Sequence, residues 1–268
     1  MDARTFLGIS PLDDALSWRL DVTPEVSTPG RFLYGGCGLA AALVALEQAS
    51  GRETDWATAQ YLSFAETGTT LELDVTLAVT GKQITQGRAV GRVEGREILT
   101  VNAALGQGQL ELEGTWVEPP DVPPPLDCPQ RVVPPMFADS VLSRVEVRAA
   151  KGRMMEALDG NPGDGSSAFW ARLPGHLEPS AATLAIIGDY VSGGLSEPLG
   201  KRTMGRSLDN TIRVARVVPT EWILCDIHMH ALARGVAQGL AFLWSEDGVL
   251  LATASQSLSA RLWPADIP

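Results

Sequence analysis

Two segments in the first half of the chain have different hydrophobic periods. Residues Gly35–Ser50 are rich in Ala and Leu, with leucines at helical spacing, which predicts a buried helix opened by glycines. From Thr58 to Leu105 apolar and polar residues alternate, as is typical of half-buried strands. Turn residues at Gly81–Lys82 and Glu94–Arg96 divide this stretch into an antiparallel meander. The pattern predicts an α+β module in which the helix lies across one face of the sheet.

The second half of the chain has a similar order of elements. The alternation in Val141–Val147 predicts a strand, and Pro179–Val191 predicts a helix with proline in its first turn. Four further strands are predicted at Thr211–Val218, Trp222–Met229, Gly239–Trp244 and Leu250–Ser255. We therefore expect a second helix-on-sheet module.

A proline-rich stretch separates the two patterns. Eight prolines lie between Glu118 and Pro135, a density that disrupts regular structure and favours an extended, semi-rigid chain. We predict an N-terminal module at residues 1–117, a linker at residues 118–136 and a C-terminal module at residues 137–268.

The two modules also correspond at the level of single residues. Arg92–Leu105 resembles Trp244–Leu258, and Gly95 then matches Gly248, a separation of 153 residues. This similarity predicts that the second module is a copy of the first.

The copies differ at two polar positions. With the glycines matched, Ala103 stands where the second copy has Gln256, and Gln60 stands roughly where it has Asp209. Since the first copy lacks this carboxylate–amide pair, we expect the chemistry in the second copy.

The charge of the chain argues against one class of partner. The 268 residues have a formal net charge of −11 and no dense Lys/Arg tract, so binding to a nucleic-acid backbone lacks its electrostatic basis. A local basic cluster does occur at Lys201, Arg202 and Arg206. It is either an anion-binding element or a solvated loop.

Cysteine usage and the N-terminus predict a cytoplasmic protein. Cys37, Cys128 and Cys225 are widely spaced beside apolar residues, which favours buried thiols over disulfides or a zinc site. The N-terminal residues lack the apolar segment of a signal peptide, and no run of 18 apolar residues predicts a membrane span.

Polar side chains in the second copy are the candidates for chemistry. Asp209 could accept a proton from a water, Gln256 could hold that water through its amide, and His228 or His230 could do either near neutral pH. Each has a structural alternative: a turn cap for the aspartate, an edge-strand polar group for the glutamine, and a core or interface position for a histidine. Asp189, inside an otherwise apolar helix, is either a site wall or a buried hydrogen-bond anchor.

Several other chemistries lack a necessary feature. GCGLAA at Gly36–Ala41 matches a dinucleotide-binding fingerprint, but an antiparallel meander follows it instead of a second parallel strand. No G-x-S-x-G elbow provides a serine nucleophile. The His-x-His pair lacks a third ligand at a familiar spacing, so neither a metal nor another cofactor is predicted.

Four motifs carry a resemblance to a known family. They are FLYGG before the first helix, SLDN at Ser207–Asn210, ARGVAQG at Ala233–Gly239 and DGVLLATASQ at Asp247–Gln256. In their order around the repeat, they resemble the thioesterase II (TesB-like) acyl-CoA thioesterase family. The resemblance covers nearly the whole chain and implies a double hotdog fold, with two repeats of a long buried helix on an antiparallel sheet.

The resemblance implies hydrolysis of acyl-CoA to a free acid and CoA, without a cofactor. In this family an aspartate, a threonine and a glutamine position the attacking water; by match the aspartate is Asp209 and the glutamine is Gln256. The position of the threonine falls on His228 or His230, depending on the flank from which it is counted. Direct attack by the carboxylate, through an anhydride, stays open beside water attack.

A second function is also open. Because the family threonine is missing, the chain could be a non-catalytic module that binds acyl groups or acyl-CoA. A hydratase is less favoured, since its D-x-N-P-x-H signature is absent around Asp209. The resemblance further implies a homodimer.

Overall fold

A computed structural model describes residues 1–173 and 177–263, without the side chain of Glu156. Residues 174–176 and 264–268 of the predicted C-terminal module lie outside this description. The α-helices are α1 (Ala3–Leu7), α2 (Gly35–Ser50), α3 (Val141–Arg144), α4 (Ala181–Gly188) and α5 (Ser196–Leu199).

The strands of the described residues form one sheet with antiparallel pairing throughout. They are β1 (Ser10–Pro11), β2 (Ser17–Asp21), β3 (Thr54–Tyr61), β4 (Thr70–Thr80), β5 (Ile84–Val93), β6 (Arg96–Gly106), β7 (Glu146–Lys151), β8 (Ser166–Arg172), β9 (Thr203–Ser207), β10 (Asp209–Val214), β11 (Ile223–Ala233), β12 (Val236–Ser245) and β13 (Leu250–Leu262). The strand order is β1-β2-β4-β5-β6-β3-β10-β13-β12-β11-β8-β7, with β9 on β13. The predicted α+β class is confirmed.

Helix α2 has the bounds that its sequence predicts. Every residue from Gly36 to Leu46 is buried, because the small side chains let the helix lie close to the sheet and to α4. The helix ends where Gly51 adopts a left-handed conformation, at φ 67°, and its N–H bonds the carbonyl of Glu47. Helix α4 is buried along its whole length, and the two helices pack against each other over the sheet.

The two modules meet at the pair β3 and β10. Thr58 lies directly opposite Thr211 in this antiparallel pair, and their hydroxyls are 2.7 Å apart. These threonines are also 153 residues apart, as the sequence repeat requires. An approximate twofold axis therefore passes between their side chains.

The same offset corrects one match made from the sequence. Gln60 pairs with Asp209 across β3 and β10, so the two residues are sheet neighbours and not equivalent positions of the repeat. The residue equivalent to Asp209 is Trp56. The match of Ala103 to Gln256 agrees with the structural offset.

The segment between the modules covers the outer face and one edge of the sheet. The indole N–H of Trp170 donates to the carbonyl of Pro123 at 2.9 Å, beside a cluster that includes Trp222 and Trp244. Backbone hydrogen bonds also join this segment to β7; one runs from Arg131 N–H to the carbonyl of Val147 at 2.8 Å. The predicted limits of the linker stay a prediction.

The strand predicted at Val141–Val147 is wrong in its first part. Helix α3 occupies Val141–Arg144, and strand β7 begins only at Glu146. Val141 and Val145 are both buried, and their spacing of four residues suits a helical turn as well as a strand.

The hydroxyl pair on the pseudo-twofold axis can be tested with a double-mutant cycle. Replacing either Thr58 or Thr211 by Val leaves one part-buried hydroxyl without its partner, so each single variant should lose about 1 kcal/mol of unfolding free energy. The double variant should lose less than the sum, because it removes both polar groups. Chemical denaturation measures this, and strictly additive losses would contradict the pairing.

Candidate active site

A buried carboxylate lies where α4 ends. Asp189 is 3% exposed and begins a 3-10 segment, Asp189–Leu195. Its Oδ2 accepts the backbone N–H of Gly36 at 2.7 Å, and its Oδ1 accepts the amide of Asn210 at 3.1 Å and the amide of Gln256. Donors from both modules thus hold one carboxylate.

The register of two strands places the amides. Thr211 pairs with Ser255 on β10 and β13, which puts Asn210 directly opposite Gln256. Both amides are buried and point to the helix side of the sheet. This follows from strand alternation, since Ile212, two residues from Asn210, lies in the core.

A serine completes the group, which we call the acid–amide cluster: Asp189, Ser207, Asn210 and Gln256. The amide nitrogen of Gln256 lies 3.4 Å from Ser207 Oγ, and its Oε1 accepts the backbone N–H of Ser192 at 3.0 Å. These contacts fix the orientation of the glutamine amide, so that its N–H groups face the carboxylate and the serine.

Burial sets the protonation of the carboxyl. It raises the pKa of Asp189 from an ordinary 3.8 to about 7, and the hydrogen bonds from Gly36, Gln256 and Asn210 offset part of this effect. A carboxylate with a pKa near neutrality is suited to accept and return a proton at physiological pH.

Unsatisfied polar atoms lie beside the carboxylate. Tyr61 Oη and Asn210 Oδ1 are buried and make no hydrogen bond of ordinary geometry, although the Asn210 side chain lies close enough to the Tyr61 hydroxyl to lower its pKa slightly. A Cβ on Gly35 would lie 3.0 Å from both Asp189 Oδ2 and Tyr61 Oη, so these two groups face the same small space. Burial and the nearby Asp189 raise the pKa of Tyr61 well above its usual value, which keeps its hydroxyl a donor.

Glycine is required where α2 begins. A Cβ on Gly36 would lie 2.9 Å from Asp189 Cβ and 3.0 Å from the carbonyl oxygen of Ala185. The close approach lets the Gly36 N–H reach the carboxylate. The sequence offers GG before the helix as a signal for close packing, but not for this partner.

The structure does not bring Asp209 to Gln256. Asp209 is the first residue of β10, and its neighbour Asn210 takes the helix-facing position. Its Oδ1 accepts the backbone N–H of Ser257 at 2.6 Å, a contact at the strand start that resembles a cap. A catalytic role for Asp209 stays a prediction.

His228 lies on the other face of the sheet from the acid–amide cluster. Its Nε2 is 3.0 Å from Asp226 Oδ2, and its ring packs edge-on against Phe242 at 5.9 Å. The preceding residue, Ile227, points to the core, so alternation turns His228 outward. Among the described contacts of His228 none is to Gln256, so its catalytic role stays a prediction.

His230 is exposed at an irregularity in β11. The register shifts between Met229 and Ala231, which leaves His230 outside the pairing with β12. Met229 is the residue that points inward here, since its sulfur would lie 2.8 Å from a Cβ on Gly239, the partner of Gln256. The catalytic role of His230 also stays a prediction.

The sequence points to Asp189 and to Gln256 separately, but it does not predict that their side chains are in contact. Ser207 and Asn210 lie in the SLDN motif on either side of the residue chosen from it. Strand alternation in the sequence could identify Asn210, because it lies two residues before the apolar Ile212 and therefore on the same, buried face of β10.

Neither a metal-binding cluster nor a membrane-spanning helix occurs among the described residues. Among the described residues, no group of three or more His, Cys, Asp or Glu side chains could hold a metal ion. Within residues 1–173 and 177–263, no helix is long and apolar enough to cross a membrane.

A family model matches the half of the chain that contains the acid–amide cluster. The model describes the acyl-CoA thioesterase C-terminal domain and matches residues 119–260, just over half of the chain. A comparison with curated protein sequences finds no match.

Solved structures have the same fold over nearly the whole chain. A candidate thioesterase from Novosphingobium aromaticivorans is 30% identical, with a TM-score of 0.81, and the match covers 93% of this chain and 97% of that one. A hot dog fold protein of unknown function from Alicyclobacillus acidocaldarius is 20% identical, with a TM-score of 0.83 and 98% of each chain covered. An acyl-CoA thioesterase II from Mycobacterium marinum is 17% identical, with a TM-score of 0.76 and 99% of each chain covered. The predicted double hotdog fold is confirmed.

The raised pKa of Asp189 predicts a pH-dependent stability. The folded protein retains a proton that the unfolded chain loses above pH about 4, so this stabilisation is lost as the pH rises through about 7. Between about pH 5 and about pH 8, wild type should lose roughly 1–3 kcal/mol of unfolding free energy relative to Asp189→Asn. Denaturation of both proteins at each pH checks this, and parallel pH profiles would refute the assignment.

Proposed function

The chain belongs to the acyl-CoA thioesterase family and is a thioester hydrolase, and we propose that the acid–amide cluster carries its reaction. The observation that carries the proposal is the buried Asp189 carboxylate, whose pKa is raised to about 7, beside the amide of Gln256 and the hydroxyl of Ser207. The substrate is an acyl-CoA, as family membership implies.

The proposed reaction begins with a water that enters the acid–amide cluster and takes the place of the direct contact between Gln256 and Asp189. The ionised carboxylate of Asp189 accepts a proton from this water, and the oxygen of the water forms a bond to the thioester carbon. Collapse of the tetrahedral intermediate breaks the carbon–sulfur bond, and Asp189 returns the proton as the CoA thiol leaves. The glutamine amide and the serine hydroxyl orient the water, and neither changes its charge.

The developing oxyanion needs a donor that is free before the reaction. The hydroxyl of Tyr61 is our candidate, because it is buried and protonated, lies beside Asp189, and makes no hydrogen bond of ordinary geometry, its nearest polar neighbour besides Asp189 being the side chain of Asn210. The N-terminus of α2, at Gly35 and Gly36, adds the positive end of a buried helix dipole to the same space.

The geometry favours water attack over attack by the carboxylate. Both oxygens of Asp189 accept hydrogen bonds, from Gly36 on one side and from Asn210 and Gln256 on the other. An anhydride would require the attacking oxygen to leave these donors. A general base needs only a proton transfer, which the arrangement accommodates.

We extend the proposal to a role in lipid metabolism, which hydrolysis of acyl-CoA would serve, and to the predicted homodimer and cytoplasmic location. The outer edge of β7 is partly covered, since Gln130 forms a bridge with Arg148 and the Ala149 N–H bonds the carbonyl of Pro129. At the other end of the sheet, β1 has two residues, of which one is Pro11. A dimer should therefore form mainly through side chains and not by joining sheet edges.

Two matched variants test the assignment. Asp189→Asn should lower kcat/KM for acyl-CoA hydrolysis by about 10²- to 10⁴-fold, because it removes the general base. Asp209→Asn makes the same chemical change at a side chain that does not face the acid–amide cluster. This variant should keep wild-type activity to within about three-fold. Thiol release from a panel of acyl-CoA esters measures both.

Other outcomes of this panel are equally informative. A large loss in Asp209→Asn with little change in Asp189→Asn would restore the assignment made from the sequence. Saturable binding of acyl-CoA by wild type without any thiol release would favour the non-catalytic binding function.

A further inference from the structure

An exposed aromatic side chain with two arginines lies beside the acid–amide cluster. Phe64 is 42% exposed, the guanidinium of Arg206 lies 5.0 Å from the centre of its ring, and Arg96 Nη2 donates to its carbonyl at 3.3 Å. We call Phe64, Arg96 and Arg206 the aromatic–arginine patch. It brings together residues from both modules, because Arg206 belongs to β9 and Arg96 begins β6.

In the part of the chain that the structure describes, the two arginines have no acidic partner. Within the described residues neither Arg96 nor Arg206 forms an ion pair with a carboxylate. Glu97, beside Arg96 in the chain, is instead paired with Arg92 at 2.9 Å. In a chain with a net charge of −11, two unpaired arginines around an exposed ring form a local site for an anion that also has a flat ring.

The patch continues into the proposed active site. Tyr61, whose hydroxyl faces Asp189, lies three residues before Phe64, at most about 11 Å of extended chain. Leu208, next to Ser207, is 44% exposed, and its carbonyl accepts the Tyr61 N–H at 3.0 Å. The patch and the cluster therefore lie at the same end of β3 and β10, as a single ligand that spans both would require.

We propose that the aromatic–arginine patch binds the nucleotide end of CoA. The adenine stacks with Phe64 and Arg206, and the phosphates take the guanidinium N–H groups of Arg96 and Arg206. This inference rests on the proposed function for the position of the thioester. It gives a role to Arg206, part of the basic cluster before SLDN, as an anion-binding residue.

A second group of arginines is less suited to this role. Arg131, Arg144 and Arg172 line a cavity of about 460 Å³ near α3. Their guanidinium groups already have partners: Arg131 donates to two backbone carbonyls, Arg144 donates to the carbonyl of Phe6, and Arg172 is paired with Glu146. A phosphate there would have to displace these contacts.

A comparison of two substrates tests the patch. One is an acyl-CoA and the other is the same acyl group on pantetheine, which lacks the nucleotide. Arg206→Gln and Phe64→Leu should each raise the KM for the CoA ester about ten-fold. Both should leave its kcat, and the kinetics of the pantetheine ester, near wild type.

Arg88→Gln is the matched control, because Arg88 is an exposed arginine on β5 and outside the patch. It removes the same charge and should leave the KM of both esters unchanged. Equal changes in KM for the two esters in the patch variants, or a rise with Arg88→Gln as large as with Arg206→Gln, would overturn the proposal.

A binding measurement separates this inference from the hydrolytic function. Calorimetry with adenosine 3′,5′-bisphosphate needs no turnover and should show binding to wild type that Arg206→Gln weakens about ten-fold. If this result is obtained while no acyl-CoA is hydrolysed, the patch stands and the proposed function fails. If thioesters are hydrolysed but the nucleotide binds equally to wild type and Arg206→Gln, the patch is refuted and the function stands.

Discussion

The structure depends on one buried carboxylate. Asp189 is held by the backbone of Gly36 from the first module and by the amides of Asn210 and Gln256 from the second. Burying a carboxylate is costly unless donors surround it, and here the donors come from a helix start and two adjacent strands. These donors offset only part of the free-energy cost of burying the charge, so the pKa of Asp189 stays raised at about 7. A pKa near neutrality is also suited to general base catalysis. The helix packing and the strand register therefore bring these donors to one carboxylate, and the proposed chemistry depends on that arrangement.

The two copies of the module have different residues at the positions of the acid–amide cluster. At the positions equivalent to Asp189, Asn210 and Gln256, the first module has Gly36, Ala57 and Ala103. A second carboxylate at position 36 would lie against the first, because these equivalent positions are in direct contact near the pseudo-twofold axis. The first module instead contributes a small residue and a backbone donor. Among the described residues, the acid–amide cluster therefore has no counterpart at the equivalent positions of the first module.

The sequence predicts the elements better than it predicts which side chains meet. The period and composition of α2 fix its limits, because a buried helix between glycines has few alternatives. Gln256 was identified because its equivalent in the first module is alanine. The family resemblance and the comparison of the two copies point to Asp209 in the SLDN motif, whereas alternation with the buried Ile212 turns its neighbour Asn210 toward the helices. The contact of Gly36 with Asp189 joins residues 153 positions apart, and no local pattern encodes it.

The pH dependence of kcat/KM for an acyl-pantetheine ester tests the central claim most directly. This substrate has no phosphate to titrate, and kcat/KM reports the ionisation of the free enzyme. If Asp189 is the general base, kcat/KM rises with pH, with a midpoint near its pKa of about 7, and then levels off. A midpoint at the ordinary carboxyl value near pH 4, or a rate constant that does not change between about pH 5 and about pH 8, would contradict the claim.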